Sequence, residues 1–134
     1  MELIKEIYDR DLGIQSKVGD DVRYGLRKAA RALIFLDKKI AVMNARSLNL
    51  HKLTGGGVEE CESIREGLER EIFEETGRTI DQVRELGMVI EYRREIELIQ
   101  VSYVFTGNVV GDFLEPNFTQ KEKDEGFALE WMEV

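Results

Sequence analysis

One segment of the chain has the hydrophobic spacing of an amphipathic helix. Ile64, Leu68 and Ile72 recur every four residues, so on a helix they fall on one stripe, which we expect to be buried. Ser63 and Glu66 form a capping box at the start of this stripe, because each side chain can bind a backbone N–H of the first turn. The pattern therefore predicts a helix that begins at about Ser63.

The far end of the predicted helix carries acidic residues on its inward side. Gly77 can adopt the left-handed conformation that closes a helix, so we expect the helix to end at Glu75 or Thr76. Glu71 and Glu75 fall within the sector of the apolar stripe, and Glu74 borders them. The helix is thus expected to turn carboxylates toward the interior of the protein.

Apolar runs bounded by turn residues predict a sheet around this helix. The runs cover residues 29–36, 40–43, 48–53, 86–92, 98–110 and 127–132. Lys38 and Lys39 separate the first two runs by a short polar turn, which predicts a hairpin. Residues 1–20 are compatible with an edge strand followed by a polar loop.

Three consecutive glycines, Gly55, Gly56 and Gly57, lie between a predicted strand and the capping box. Glycine lets the backbone approach a ligand closely, so a loop of this kind can offer carbonyl and N–H groups to a metal or a phosphate. The triplet is neither a Walker loop nor the spaced glycine pattern of dinucleotide-binding folds. By itself it does not define a ligand.

The three carboxylates of Glu71, Glu74 and Glu75 need a physical explanation. Like charges three or four residues apart on a helix cost roughly 0.2–0.5 kcal/mol per pair in water, and partial burial raises that cost. A hard divalent cation such as Mg²⁺ relieves it, because Mg²⁺ prefers oxygen ligands. The alternative is a solvated acidic face with basic neighbours, Arg65, Arg70 and Arg78. The inward placement of the acids and the preceding glycines favour the metal site.

Composition indicates a small globular protein. A chain of 134 residues suits one domain over residues 1–134, and 43% hydrophobic residues is too many for a disordered chain. No apolar run approaches the ~20 residues of a membrane span, and the charged N-terminus does not resemble a secretory signal, so we expect no membrane partner. Cys61, the one cysteine, excludes an internal disulfide and suits a cytoplasmic location.

The net charge of −8 argues against binding to polymeric nucleic acid, which needs an excess of basic residues. It does not forbid a small nucleotide, because local cations can serve its phosphates. The cations that could do so are Arg23, Arg27, Lys28, Arg31, Arg46, Lys52, Arg93 and Arg94. With one histidine and one cysteine in the chain, a zinc site of the usual ligand types is not available.

Between residues 56 and 78 the chain resembles the Nudix box, Gly-x5-Glu-x7-Arg-Glu-U-x-Glu-Glu-x-Gly-U, where U is apolar. The matching residues are Gly56, Glu62, Arg70, Glu71, Ile72, Glu74, Glu75 and Gly77. The resemblance to Nudix hydrolases implies an α/β (α+β) fold, in which a Nudix-type α/β/α sandwich contains a mixed sheet and the box helix. It also implies metal-dependent cleavage of a pyrophosphate bond in a nucleoside diphosphate linked to another moiety.

Three positions depart from the usual pattern of the family. Arg78 stands where an apolar residue is usual, Cys61 where glycine is common, and Thr54 where many members have proline. None of these departures removes a metal-binding group. We expect Ile80 to provide the apolar anchor that Arg78 does not.

The resemblance also implies roles for individual residues. Glu71, Glu74 and Glu75, with the backbone carbonyl of Gly55, are expected to hold one to three Mg²⁺ or Mn²⁺ ions that bridge the substrate's phosphates and activate a water. Arg70 is expected to hold a catalytic carboxylate by a bidentate bond rather than to touch the substrate. The remaining glycines of the triplet, Gly56 and Gly57, are expected to lie against the substrate.

A general base is expected outside the box. Many Nudix members place a catalytic glutamate in a loop shortly before a last strand that contains tryptophan. Glu125, six residues before Trp131, resembles that arrangement, and Glu122 is the second candidate. The expected catalytic residues are therefore Arg70, Glu74 and Glu125, although residues 120–125 are equally compatible with a solvated turn.

The resemblance leaves the substrate open. The proline that marks many ADP-ribose hydrolases is missing, since the sole proline is Pro116. The chain is most similar to the housecleaning members that cleave nucleoside triphosphates. The alternatives are an ADP-ribose or other nucleoside-diphosphate pyrophosphatase and a non-catalytic Nudix-fold binding domain. Either way, a small nucleotide is the expected partner, and a homodimer is compatible with the family.

Overall fold

A mixed β-sheet forms the scaffold of the computed structural model, which describes residues 1–15, 23–111 and 116–134. Its strands are β1 (Leu3–Tyr8), β2 (Gly25–Leu36), β3 (Lys39–Ala45), β4 (Leu50–Gly57), β5 (Thr79–Arg93), β6 (Leu98–Val110) and β7 (Phe127–Glu133). The strand order is β1-β5-β6-β2-β4-β3-β7. The pairs β1–β5 and β2–β6 are parallel and the other pairs are antiparallel.

Few helices accompany the sheet within the described residues. The α-helices are α1 (Ile64–Thr76) and α2 (Gln120–Asp124), and short 3-10 helices cover Asp9–Leu12, Arg46–Leu48 and Arg94–Ile96. The expected fold class, α+β with a mixed sheet and the box helix, is confirmed. None of these helices is long and apolar enough to cross a lipid bilayer.

Alternate residues of β2 pack against α1 and form the core. Ala30, Ala32 and Ile34 are completely buried together with Leu68 and Ile72 of the helix. Burial of a leucine or isoleucine side chain contributes about 1.5–3 kcal/mol, so these contacts fix α1 on the sheet. The alanines of β2 are small, which lets the helix lie close to the strands.

Most of the predicted strands are confirmed. The β2–β3 hairpin forms around Asp37 and Lys38, β6 covers Leu98–Val110 as expected, and β1 lies at the edge of the sheet. The expected polar loop is replaced at residues 9–12 by a 3-10 helix, and its residues 16–20 lie outside the described ranges. Ile80 packs against the core, as expected of the substitute for Arg78.

The start of β5 was predicted wrongly. The apolar run begins at Leu86, but the strand begins at Thr79, and its first half is largely exposed. This half pairs with the end of β6, where Thr79 lies opposite Val110. Backbone pairing does not require apolar side chains, so hydrophobic periodicity cannot detect such a segment.

Candidate metal and catalytic site

The ends of α1 agree with the sequence pattern. The Ser63 hydroxyl accepts a hydrogen bond from the Glu66 N–H at 3.1 Å, and the Glu66 carboxylate accepts one from the Ser63 N–H at 3.4 Å. At the other end, Gly77 adopts a left-handed conformation with φ of 67° and closes the helix after Thr76. The predicted start and end of the helix are therefore confirmed.

The inward side of α1 combines apolar and acidic residues. Leu68 and Ile72 are completely buried, and Ile64 is half-buried. Glu75 is only 1% exposed, and the Glu71 side chain is 15% exposed. The predicted inward placement of these two acids is confirmed.

Glu75 is the most deeply buried acid of the helix. Its carboxylate accepts a hydrogen bond from the Gly55 N–H at 3.0 Å. Burial, together with the charges of the nearby Glu71 and Glu122, raises the pKa of Glu75 to about 8, against the effect of the Gly55 N–H. This carboxylate therefore lies in a place that disfavours its charged form.

Glu71 lies directly against residues 55–57, the three glycines at the end of β4, which we call the glycine strand. A Cβ atom at Gly56 would lie 2.7 Å from the Glu71 carboxylate, so a larger residue at this position would have to displace that side chain. Burial also raises the pKa of Glu71, although the neighbouring Arg70 opposes the shift. Gly56 is thus required for the close contact between helix and strand.

Arg70 connects the other acids of the box to the glycine strand. Its guanidinium forms a fork with Glu62, with Nε and Nη2 donating to the two carboxylate oxygens at 2.6 Å and 2.9 Å. Nη1 donates to Glu71 at 3.0 Å and to Glu74 at 3.3 Å, while Nη2 also donates to the Gly57 carbonyl at 3.0 Å. The bidentate partner is therefore Glu62, whereas a catalytic carboxylate was expected.

Glu62 has the opposite electrostatics to Glu75. The hydrogen bonds from Arg70 lower the pKa of Glu62 to about 2, and the Glu59 N–H, which donates to it at 2.9 Å, contributes to the same shift. The ion pair neutralises this acid, so its role is to hold Arg70 in position. The sequence match marks Glu62 as a box residue but does not reveal this pairing.

The glycines lie in a regular antiparallel ladder at the end of β4. Gly55 pairs with Arg31 and Gly56 pairs with Ala30 on β2. The Gly55 carbonyl, an expected metal ligand, accepts a hydrogen bond from the Arg31 guanidinium at 3.2 Å. A carbonyl has two lone pairs, so this contact leaves the oxygen able to bind a cation as well.

A short helix brings two further carboxylates toward α1. The Asn117 N–H donates to the Glu74 carbonyl at 2.6 Å, which anchors the segment before α2 on the acidic end of α1. The Thr119 hydroxyl caps α2 by accepting from the Glu122 N–H at 3.2 Å, and the Glu122 carboxylate accepts from the Thr119 N–H at 2.9 Å. Residues 120–124 therefore form a short helix, and four of its five residues are exposed.

The two candidate bases differ in their neighbours. Glu122 lies close enough to Glu71 and Glu75 to raise the pKa of both carboxyls. Glu125 has its carboxylate 3.9 Å from the Lys121 ammonium. The Thr119-x-x-Glu122 spacing is itself a capping box, so the sequence contained the signal for α2.

The oxygen-rich set of groups fits a hard divalent cation. In the described ranges, no group of three His, Cys, Asp or Glu side chains is arranged to hold a metal ion. Arg70 donates hydrogen bonds to Glu71 and Glu74, and Glu75 accepts one from the Gly55 N–H. Mg²⁺ needs few protein ligands, since it usually keeps several waters and binds substrate phosphates. The contact between Gly56 and Glu71 and the hydrogen bond from the Gly55 N–H to Glu75 place two carboxylates of α1 against the end of β4.

The fold is α+β: the acidic helix α1 packs against β4, the strand of a mixed sheet that ends in glycines. Residues 25–134 match the family model described as NUDIX domain, and the chain belongs to the Nudix family. This confirms the family that residues 56–78 indicate.

Solved structures show the same fold. A MutT NUDIX hydrolase from Burkholderia pseudomallei is 23% identical, with a TM-score of 0.63, over 81% of this chain and 84% of that chain. A NUDIX hydrolase from Nitrosomonas europaea is 21% identical, with a TM-score of 0.64, over 81% and 73%. A mutator MutT protein from Bacillus halodurans is 22% identical, with a TM-score of 0.62, over 80% and 68%. At these identities the likeness is one of fold.

Proposed function

We propose that this protein is a divalent-metal-dependent hydrolase that cleaves a pyrophosphate bond in a nucleoside di- or triphosphate derivative. The observation that carries the proposal is the burial of Glu75 against Gly55, beside Glu71. A buried carboxylate next to a second acid costs free energy unless a cation stabilises it. A purely structural helix would gain stability from an apolar residue at this position.

The groups that would hold Mg²⁺ or Mn²⁺ are the carboxylates of Glu71, Glu74 and Glu75 and the Gly55 carbonyl. Such an ion, when bound, neutralises phosphate charge and lowers the pKa of a water. Arg70 holds Glu71 and Glu74 in position through the hydrogen bonds of its Nη1.

The substrate is expected to meet the protein along Gly56 and Gly57, whose lack of a side chain leaves room for the Glu71 carboxylate and the Arg27 guanidinium that lie against them. A carboxylate outside α1 would take the proton of the attacking water. Glu125 and Glu122 are both candidates, and the proximity of Glu122 to Glu71 and Glu75 supports Glu122 as the first choice.

The proposed substrate class is the nucleoside triphosphates, with release of pyrophosphate and a monophosphate. The support for this class is the resemblance of the chain, with Glu125 six residues before Trp131, to the housecleaning members of the family. ADP-ribose and other nucleoside-diphosphate derivatives are the alternatives. We take the domain to extend beyond the matched region to residues 1–134, because β1 pairs with β5 in the same sheet.

The test is a panel of nucleoside triphosphates, oxidised nucleotides, ADP-ribose and dinucleoside polyphosphates, assayed with Mg²⁺, Mn²⁺ or EDTA. We expect hydrolysis of at least one compound that depends on the metal and is lost in Glu71→Gln. Glu69→Gln is the matched control, since Glu69 is exposed on the same helix and pairs with Arg65 at 2.9 Å.

Two outcomes would contradict the proposal. Binding of Mn²⁺ without hydrolysis of any compound would indicate a non-catalytic Nudix-fold domain. Absence of Mn²⁺ binding, measured by calorimetry on the wild-type protein, would leave only an acidic helix without a ligand.

A further inference from the structure

Arg31 is a cation enclosed in the sheet directly beside the glycine strand. It is half-buried on β2, opposite Gly55 in the ladder. Its Nη1 donates to the carbonyls of Leu53 and Gly55, both at 3.2 Å. The guanidinium is thus held by the backbone of β4, at the end of the strand that carries the candidate metal site.

Among the described residues, the positive charge of Arg31 has no direct carboxylate partner. Across residues 1–15, 23–111 and 116–134, no Asp or Glu oxygen lies within the 4.0 Å ion-pair distance of its guanidinium. In contrast, Arg70 pairs with three carboxylates and Arg93 pairs with Asp9 at 3.0 Å. Burial lowers the pKa of Arg31, because it removes water from the charged guanidinium, and the charges of Glu75 and Glu71 oppose this shift.

Part of the guanidinium remains available for a ligand. An arginine carries five N–H donors, and within the described residues the hydrogen bonds of Arg31 come from Nη1 alone. The nitrogens Nε and Nη2 are therefore able to bind oxygens that the protein does not supply. Planar donors of this kind match the oxygens of phosphate.

The position of Arg31 connects it to the acidic site. It shares the Gly55 carbonyl with the proposed cation, and the charges of Glu75 and Glu71 act on its guanidinium. A cation held at the Gly55 carbonyl and the Arg31 guanidinium would therefore supply positive charge to the same phosphate.

We infer that Arg31 is a substrate-binding residue whose guanidinium binds a phosphate oxygen of the diphosphate. This inference rests on the proposed function and adds to it a protein cation that faces the substrate. The competing explanation is that Arg31 only positions the Gly55 carbonyl, in which case it never touches the substrate.

Two binding measurements distinguish these explanations. We would titrate Mn²⁺ alone, and then methylenediphosphonate in the presence of Mn²⁺, by calorimetry on the wild type, Arg31→Met and Arg31→Lys. Arg31→Met should bind Mn²⁺ as tightly as the wild type or more tightly, because a cation beside the metal has been removed. It should bind methylenediphosphonate roughly 10- to 100-fold more weakly, because charge-assisted hydrogen bonds are lost.

Arg31→Lys should bind methylenediphosphonate with intermediate affinity, because it keeps the charge but loses the planar fork. Arg84→Met, which removes an exposed arginine of β5, is the matched control and should leave both affinities unchanged. If Arg31→Met does not fold, as judged by circular dichroism, Arg31→Lys alone decides: its Mn²⁺ binding must be normal and its methylenediphosphonate binding weaker.

The inference requires weaker binding of methylenediphosphonate together with Mn²⁺ binding that is unchanged or tighter. Weaker binding of both Mn²⁺ and methylenediphosphonate by a folded variant would show that Arg31 only positions Gly55. Unchanged binding of both would show that it has no role at the site. Failure of the proposed function would appear in the wild type itself, as absence of Mn²⁺ binding, whereas failure of this inference appears only in the variants.

Discussion

The two ends of the glycine strand, residues 55–57, face acids under opposite electrostatic conditions: Glu62, which precedes α1, at one end and Glu75 of α1 at the other. At the Gly57 end, Arg70 pairs with Glu62 through a fork and lowers the pKa of that carboxyl to about 2. At the Gly55 end, Glu75 has a single backbone N–H as its donor, and burial raises its pKa to about 8. The box thus contains one neutralised acid and one acid that still needs a cation.

The reach of Arg70 explains the difference. Its Nε and Nη2 bind Glu62 and Gly57, which leaves Nη1 for Glu71 and Glu74. Within the described residues the recorded ion pairs of Arg70 do not extend to Glu75. The residues near Gly57 therefore act as support, whereas Glu75 near Gly55 has no ion-pair partner among the described residues.

The largest expected effect is on turnover and comes from neutralising Glu75, the acid that lies against Gly55. Glu75→Gln keeps an oxygen that can accept from the Gly55 N–H but removes the charge that a metal would use. We expect turnover to fall roughly 10²- to 10⁴-fold, since metal charge stabilisation is worth several kcal/mol. The free energy of unfolding in EDTA should rise by about 1 kcal/mol, because a buried charge is removed.

Glu69→Gln, at an exposed position of the same helix, is the control for this experiment and should change neither quantity. Activity and stability are measured on the same preparations, by phosphate release and by urea unfolding. A Glu75→Gln protein with normal turnover would mean that the acid at the Gly55 end is structural.

The second prediction concerns the base that would act at the Gly55 end. We expect Glu122→Gln to lower turnover by ~10²- to 10⁴-fold and Glu125→Gln to have a smaller effect. The reason is that the charge of Glu122 raises the pKa of Glu71 and Glu75, which shows that it lies near them. Thr119→Ala is the control for α2, because it disrupts the same capping box without removing a carboxylate. Steady-state kinetics of the three variants provide the comparison.

The reverse order of the two losses would assign the base to Glu125. An equal loss in Thr119→Ala and Glu122→Gln would mean that α2 must only be folded, and that neither kinetic effect reports proton transfer.

A smaller effect, on Mn²⁺ binding, is expected from Gly56→Ala, which adds one methyl group to the middle glycine of residues 55–57. A Cβ at Gly56 would lie 2.7 Å from the Glu71 carboxylate, whose side chain can rotate away. Gly56→Ala should therefore weaken Mn²⁺ binding by roughly 10- to 100-fold, as expected when a metal ligand is misplaced, with little loss of stability. Calorimetric titration with Mn²⁺ measures the change.

Gly25→Ala is the matched control, because the nearest atom to its added Cβ would be 3.8 Å away, at ordinary contact distance. Normal Mn²⁺ affinity in Gly56→Ala would show that the contact between Gly56 and Glu71 does not position a ligand.

The smallest effect is expected at the Gly57 end. Glu62→Gln removes a carboxylate whose pKa is depressed from 4.5 to about 2 in the folded protein. A depressed pKa contributes stability above pH 4.5, and this contribution is lost as the pH falls toward 2. The Tm of Glu62→Gln should therefore be roughly 2–5 °C below that of the wild type at pH 7, and the gap should close in acid.

Thermal unfolding of both proteins between pH 7 and pH 2.5 tests this prediction. A gap that is constant with pH would mean that the fork between Arg70 and Glu62 does not stabilise the folded protein through its charge.

Local signals in the sequence predicted the helix that carries the site. The capping box of Ser63 and Glu66, the apolar spacing and Gly77 act within one or two turns, so they do not depend on the rest of the fold. The same is true of Thr119 and Glu122, which cap α2. The polar start of β5 has no such local signal, because only its partner β6 makes it a strand.

The sequence by itself determined the Nudix box, the inward turn of Glu71 and Glu75, and the strands that surround α1. Only the tertiary structure decided that Arg70 forms a bidentate pair with Glu62, that Gly56 makes room for Glu71, and that Arg31 donates to the Gly55 carbonyl. Helical periodicity fixes which side of one element is buried, since it depends on neighbouring residues. The partner of a charge depends on which strand packs against that side, and this is set by sheet register between residues far apart in the chain.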